Sequence, residues 1–129
     1  MGCKSVREVW SEFSIIKYAN DYIRYGSELN DCTNKEDVKR HNKAMNKLSK
    51  LYRVVKELDE KGFLLDLLRH ENPRVRRIVA AHCLGMNCYI NEALRTLNEI
   101  IKANTNRHDV FTAQSIIEVW EKQNHHLRF

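Results

Sequence analysis

The feature that most constrains this chain is a helix start at its centre. Glu71-Asn72-Pro73 divides an apolar stretch, Phe63 to His70, from a second one that runs to Met86. Asn72 can accept a hydrogen bond from the free amides of the next turn, and Pro73 fits the first helical position, where its missing N–H costs nothing. A helix therefore begins at Pro73, and the apolar residues before it belong to a separate short helix. From Pro73 to Met86, Val75, Ile78, Val79, His82 and Met86 share one face, while Ala80 and Leu84 lie nearly opposite. A helix apolar on two sides is packed on two sides, so the rest of the chain is expected to surround it.

The flanking segments have helical periods of their own. Val6, Trp10, Phe13, Ile16 and Ile23 recur at helical spacing, with Tyr18 and Tyr22 one turn apart beside them, and the pattern ends near Gly26. The polar stretch Ser27 to Thr33 reads as a loop. A second long helix runs from about Asn34 to Leu58 on Val38, His41, Met45, Leu48, Tyr52 and Val55. Gly62 is expected to close it in a left-handed conformation. Two more helices follow, Ile90 to Ala103 on Leu94, Leu97 and Ile101, and Asp109 to Gln123 on Val110, Ala113, Ile117 and Trp120, with Asp109 as cap and as a charge matched to the helix dipole.

With four Gly and one Pro in 129 residues, and 43% hydrophobic against 30% charged residues, the composition fits one all-helical domain rather than a disordered chain or a tight-turned sheet. The expected architecture is all-α, about six helices spanning 1–129. Residues 5–58 form an N-terminal helical hairpin, 61–123 two helix pairs, and 124–129 a tail. Cys3, Cys32, Cys83 and Cys88 contain no CxxC spacing, so neither a zinc site nor a disulfide framework is indicated, and they read as reduced thiols. No apolar run resembles a signal peptide or reaches membrane-spanning length, and Val6 stands where an N-myristoylation start wants a hydroxyl residue. The expectation is a cytoplasmic protein with no membrane contact.

Leu64-Leu65-Asp66-Leu67-Leu68, the Asn72-Pro73 turn, Val75-Arg76, Ala80-Ala81 and Leu84-Gly85 together resemble the HEAT repeat, although Leu84-Gly85 falls one residue later than in that pattern. The resemblance implies an α-α superhelix in which the two long N-terminal helices cap two helix pairs, and it implies a structural role for Arg76 at the turn or against the neighbouring repeat. Val75 and Val110 lie one HEAT-like period apart, with Phe111 where Arg76 stood, so the last two helices look like a degenerate second repeat. From about Ala19 to Lys122 the chain is also similar to small bacterial HEAT-like proteins of unassigned function. Immunity proteins of bacterial toxin systems, including contact-dependent growth inhibition, are small domains of this kind. The similarity implies a protein partner, a cognate toxin domain, with nucleases among the candidates.

Chemistry is sparse. His82 and Cys83 are adjacent on a helix, about 100° apart, and cannot face each other; His82 and His41 occupy apolar positions and read as hydrogen-bonded core histidines. His125-His126, beside Arg128, lack further ligands at zinc-like spacing. There is no phosphate-binding glycine loop and no GxSxG or HExxH motif. No enzymatic activity and no cofactor or metal are expected. A DNA glycosylase built of HEAT-like helices would need a longer array and an acidic residue paired with aromatics to hold a flipped base.

Binding is the remaining class. In the cluster Arg69, Arg74, Arg76 and Arg77, Arg74 and Arg77 lie away from the main apolar stripe and are expected to reach outward, where guanidinium groups form forked pairs with carboxylates or phosphates; Arg69 is a partner-binding candidate with them. Lys39, Lys43 and Lys47 form one row of the second helix. A lysine row is ordinarily a solvated surface. Its sharper reading, a nucleic-acid contact, lacks interleaved aromatics in the sequence. The net charge of +5 permits an acidic partner or RNA without selecting either, and a scaffold subunit of another assembly is the third alternative.

Overall fold

The structure is a computed structural model that describes residues 6–30 and 32–123, with side chains from Ser14 onward. Cys3, His125, His126, Arg128 and the side chains of Val6, Trp10 and Phe13 lie outside the described residues. Six α-helices and no strand occur among the described residues: α1 Val6–Ser27, α2 Lys35–Lys56, α3 Phe63–Leu67, α4 Pro73–Met86, α5 Ile90–Ala103 and α6 Arg107–Lys122. The all-helical class and the helix count agree with the sequence reading. No described helix is long and apolar enough to cross a membrane.

The central helix is α4, which packs against α1, α3, α5 and α6. It begins as the sequence dictates, with Asn72 extended, its side-chain oxygen accepting from the Arg74 N–H at 3.0 Å, and Pro73 at the first position. Val75, Val79, Ala80 and Cys83 have no exposed surface, and Ile78, Ala81 and Leu84 have almost none. At its N-terminal end α1 comes so close that a Cβ on Gly26 would sit 3.2 Å from the Val75 Cα. The absence of a side chain at position 26 is what permits this approach.

Several local expectations change. Ile16 is 57% exposed, whereas Ile23 packs as its spacing implies, together with Tyr18, Ala19, Tyr22 and Gly26. Val38 is exposed at the start of α2, whose buried stripe is Ala44, Leu48, Leu51, Tyr52 and Val55. Gly62 is right-handed, with φ −57°, and precedes α3; the chain turns there without a left-handed glycine. Asp109 does not cap α6. Asn106 does, accepting from the His108 and Asp109 amides at 2.8 and 3.2 Å.

Asp109 is occupied elsewhere. Arg77 does not reach outward; it is 3% exposed and its Nη1 donates to the Asp109 Oδ1 at 2.7 Å, with Asp109 itself 5% exposed. Arg77 stands three residues before Ala80 and seven before Leu84, on the second apolar side of α4, so it projects toward α6 rather than to solvent. The pair joins two helices across 32 residues of sequence. Removing one partner strands a charge in the interior. Arg77→Leu and Asp109→Ala should each lower the unfolding free energy in urea by about 3–5 kcal/mol, whereas Arg77→Met combined with Asp109→Leu should lose markedly less than either single variant.

Candidate functional site

Two charged clefts stand out. The larger, about 530 Å³, lies between α1 and α2 and is lined by Arg24, Tyr25, Glu28, Glu36, Lys39, Arg40, Lys43 and Lys47. The helices that form it are built to leave their basic sides outward. The buried residues of α2, Ala44, Leu48, Leu51, Tyr52 and Val55, follow each other at intervals of three and four, and Lys39, Lys43 and Lys47 fall on the far side of them. All three lysines and Arg40 are exposed. From α1, Arg24 and Tyr25 complete the wall, the Arg24 guanidinium lying 5.2 Å from the centre of the Tyr25 ring. Five cations face two carboxylates, so the cleft is positive with acidic points in it.

The smaller cleft, about 330 Å³, lies where α3 and α4 meet α5. Arg69, Arg76 and Arg95 share it with Glu92, Glu99, Thr96, Leu65 and Leu68. Arg76 faces α5 in this cleft, and its Nε is shielded from solvent with no hydrogen-bond partner. Arg69 and Arg95 are exposed.

The six binding residues expected from the sequence therefore separate. Lys39, Lys43 and Lys47 come together in the larger cleft and Arg69 lines the smaller one. Arg74 is half-buried and lines neither. Arg77 is withdrawn into the core by Asp109. Arg24, Tyr25, Arg40 and Arg95 were missed. Arg40 was legible, since it precedes Lys43 and Lys47 by three and seven residues on the same helix. Arg24 and Tyr25 join the lysines through the packing of α1 on α2; the expected hairpin pairs these helices, but its register, which sets which α1 residues face the lysine row, is not legible in the sequence.

Three buried titratable groups, Tyr22, Tyr52 and His82, meet in the core. Tyr22 and His82 are hydrogen-bonded at 2.8 Å between the phenol oxygen and Nδ1, and the Tyr52 ring meets the His82 ring edge-on at 5.0 Å between centres. Burial pushes the Tyr22 phenol up, reinforced by Cys83, Cys88 and Tyr52, and raises Tyr52 as well. Burial lowers His82 to about 3. His82 is the hydrogen-bonded core histidine that its position implies. His41 is half-buried, accepts from the Asn30 N–H at 3.3 Å, and is lowered first by burial and then by Arg77 and His108. Among the described residues, no three His, Cys, Asp or Glu side chains gather into a metal-binding group.

The chain matches no family model, no curated protein and no solved structure.

The neutral His82 makes stability depend on pH. The unfolded chain binds a proton at this side chain near pH 6.5, whereas the folded one does so only near pH 3. Stability is therefore complete above pH 6.5 and falls as the pH drops through this window, by about 1.4 kcal/mol per pH unit. In urea unfolding at pH 7 and pH 5, His82→Gln should show a loss between the two pH values smaller than the native chain's by about 2 kcal/mol. Equal losses would show that His82 carries a proton in the fold.

Proposed function

We propose that this protein is a non-enzymatic binding module of the immunity type, which neutralises a toxin domain by covering its active site or substrate groove. In this reading α3 with α4 and α5 with α6 are two HEAT-like pairs, and α1 with α2 is the cap that carries the binding face. The observation that supports it is the α1–α2 cleft, where Arg24, Lys39, Arg40, Lys43 and Lys47 surround the partly exposed Tyr25. Long cations around an aromatic resemble the anchors of protein interfaces, in which Arg and Tyr are enriched.

The charge pattern favours an acidic protein surface. Glu28 and Glu36 lie among the cations, where they would repel phosphates but can pair with basic residues of a partner of mixed charge. A nuclease is bound, on this logic, at an acidic patch around its catalytic carboxylates and not along its own basic substrate groove. The cytoplasm is the compartment in which such a neutraliser would act.

The first test is the gene neighbourhood: a toxin-encoding reading frame directly upstream is expected, an isolated housekeeping context overturns the reading, and the frame so found is expressed with and without this chain. Co-expression should restore growth, and Lys43→Glu combined with Lys47→Glu should weaken the complex at least tenfold at low salt, mainly through slower association. Both lysines are exposed, so the variant should fold as the native chain does. Titration with RNA and duplex DNA at two ionic strengths provides the rival outcome. Tight binding that collapses with salt and is lost in the same variant would replace the toxin partner with nucleic acid.

A further inference from the structure

The C-terminal end of α4 closes in a Schellman arrangement. Asn87 is left-handed at φ 57° and ψ 41°, its N–H bonds the Leu84 carbonyl at 3.2 Å, and the Cys88 N–H bonds the Cys83 carbonyl at 3.0 Å. In this motif the side chains of the two residues joined by the outer bond meet, usually as an apolar contact. Both are thiols in this chain, and each shifts the other's acidity. Cys83 is wholly buried and Cys88 half-buried. The helix end thus creates a dithiol with one accessible member, although the two cysteines have no CxxC spacing.

We propose that Cys83 and Cys88 form a dithiol modification site, which a peroxide oxidises to an intramolecular disulfide that staples the end of α4. The two sulfurs differ in role because their surroundings differ. Cys88 is lowered by the hydrogen bond from Cys83 and by Lys61, against an opposing effect of burial. Cys83 is raised by the same hydrogen bond, by burial and by the Cys88 and Glu92 charges. The Cys88 thiolate is therefore the nucleophile. Its sulfur attacks one peroxide oxygen, the O–O bond breaks, and Cys88 becomes a sulfenic acid as the other oxygen leaves as hydroxide and takes up a proton to form water. Cys83 sulfur then attacks Cys88 sulfur and expels hydroxide, which takes the Cys83 proton and leaves as a second water. Two thiols and one hydrogen peroxide give one disulfide and two waters. Cys32 is the internal contrast, exposed on the loop before α2 with its sulfur directed at the Asn30 carbonyl at 3.7 Å.

The experiment treats the full folded chain, carrying Cys3→Ser and Cys32→Ser, with hydrogen peroxide, then alkylates free thiols in denaturant and measures intact mass. The expected result is a loss of two hydrogens, no alkylation at either remaining cysteine, and full reversal by dithiothreitol. Adding Cys83→Ser should stop the reaction at a Cys88 sulfenic acid captured by dimedone, while adding Cys88→Ser should leave Cys83 unoxidised. Gain of two or three oxygens at Cys88 without a disulfide, or two freely alkylated thiols after an exposure that oxidises Cys32 in the native chain, would overturn the proposal. The mass of the chain that carries only Cys3→Ser and Cys32→Ser decides these outcomes, so a poorly folded Cys83 variant does not obscure them.

Discussion

Everything in this fold answers to the fact that α4 has no solvent face along most of its length. From Val75 to Leu84 all residues but Arg76 are buried, so four neighbouring helices must cover it, and each does so by a different device. α1 approaches until a side chain at Gly26 would crowd Val75. α3 precedes α4 directly and supplies Leu64, Leu67 and Leu68. α5 contributes Ala93, Leu97 and Ile100. α6 adds Ala113 and Trp120, and meets α4 through Asp109 as well.

That last device differs in kind from the others. Apolar contacts such as Ala113 and Trp120 tolerate a slide or a rotation of α6, because hydrophobic burial has no direction. The Arg77–Asp109 bond does not tolerate it, since any other seating of α6 leaves two charges in the interior. Asn106 reinforces the same placement by fixing the first turn of α6, so that Asp109 is delivered to Arg77 by the helix start itself. His82 works on the other side of α4 in a milder form, with its ring between Tyr22 of α1 and Tyr52 of α2 and its polarity met by the Tyr22 hydroxyl. Polar groups buried on α4 thus specify which helices lie where, and the apolar residues make the arrangement stable.

The sequence was most legible where local chemistry decides structure. Asn72-Pro73 located the start of α4, the two apolar sides announced its burial, and the period of Leu94, Leu97 and Ile101 predicted the bounds of α5. It was least legible where a residue's role depends on a distant partner. Arg77 looked like an outward charge because arginines usually are; its spacing to Ala80 and Leu84 was the available warning, but Asp109 looked equally well placed as a cap. Gly62 looked like a left-handed terminator, yet the chain passes it in a right-handed turn. Among the candidate cleft residues, the lysine row followed from helical spacing alone, while Arg24 and Tyr25 entered only when α1 packed beside α2.

With Arg77 and His82 withdrawn into the core, the proposed binding falls to the α1–α2 cleft, whose residues suit different parts of it. Lys39, Lys43 and Lys47 are exposed and carry long flexible stems, so each pair they form with a partner gains little after ordering and solvent screening. They are suited to attraction at a distance, which raises the rate of encounter. Arg24 and Tyr25 are different, because the guanidinium already lies near the ring, and two side chains held together before binding have less freedom to lose. Charge at one end of the cleft would gather acidic partners without choosing among them. In the proposed binding reading, choice would rest with the surface that can seat Arg24 and Tyr25, and the two glutamates beside them would penalise partners that offer negative charge alone.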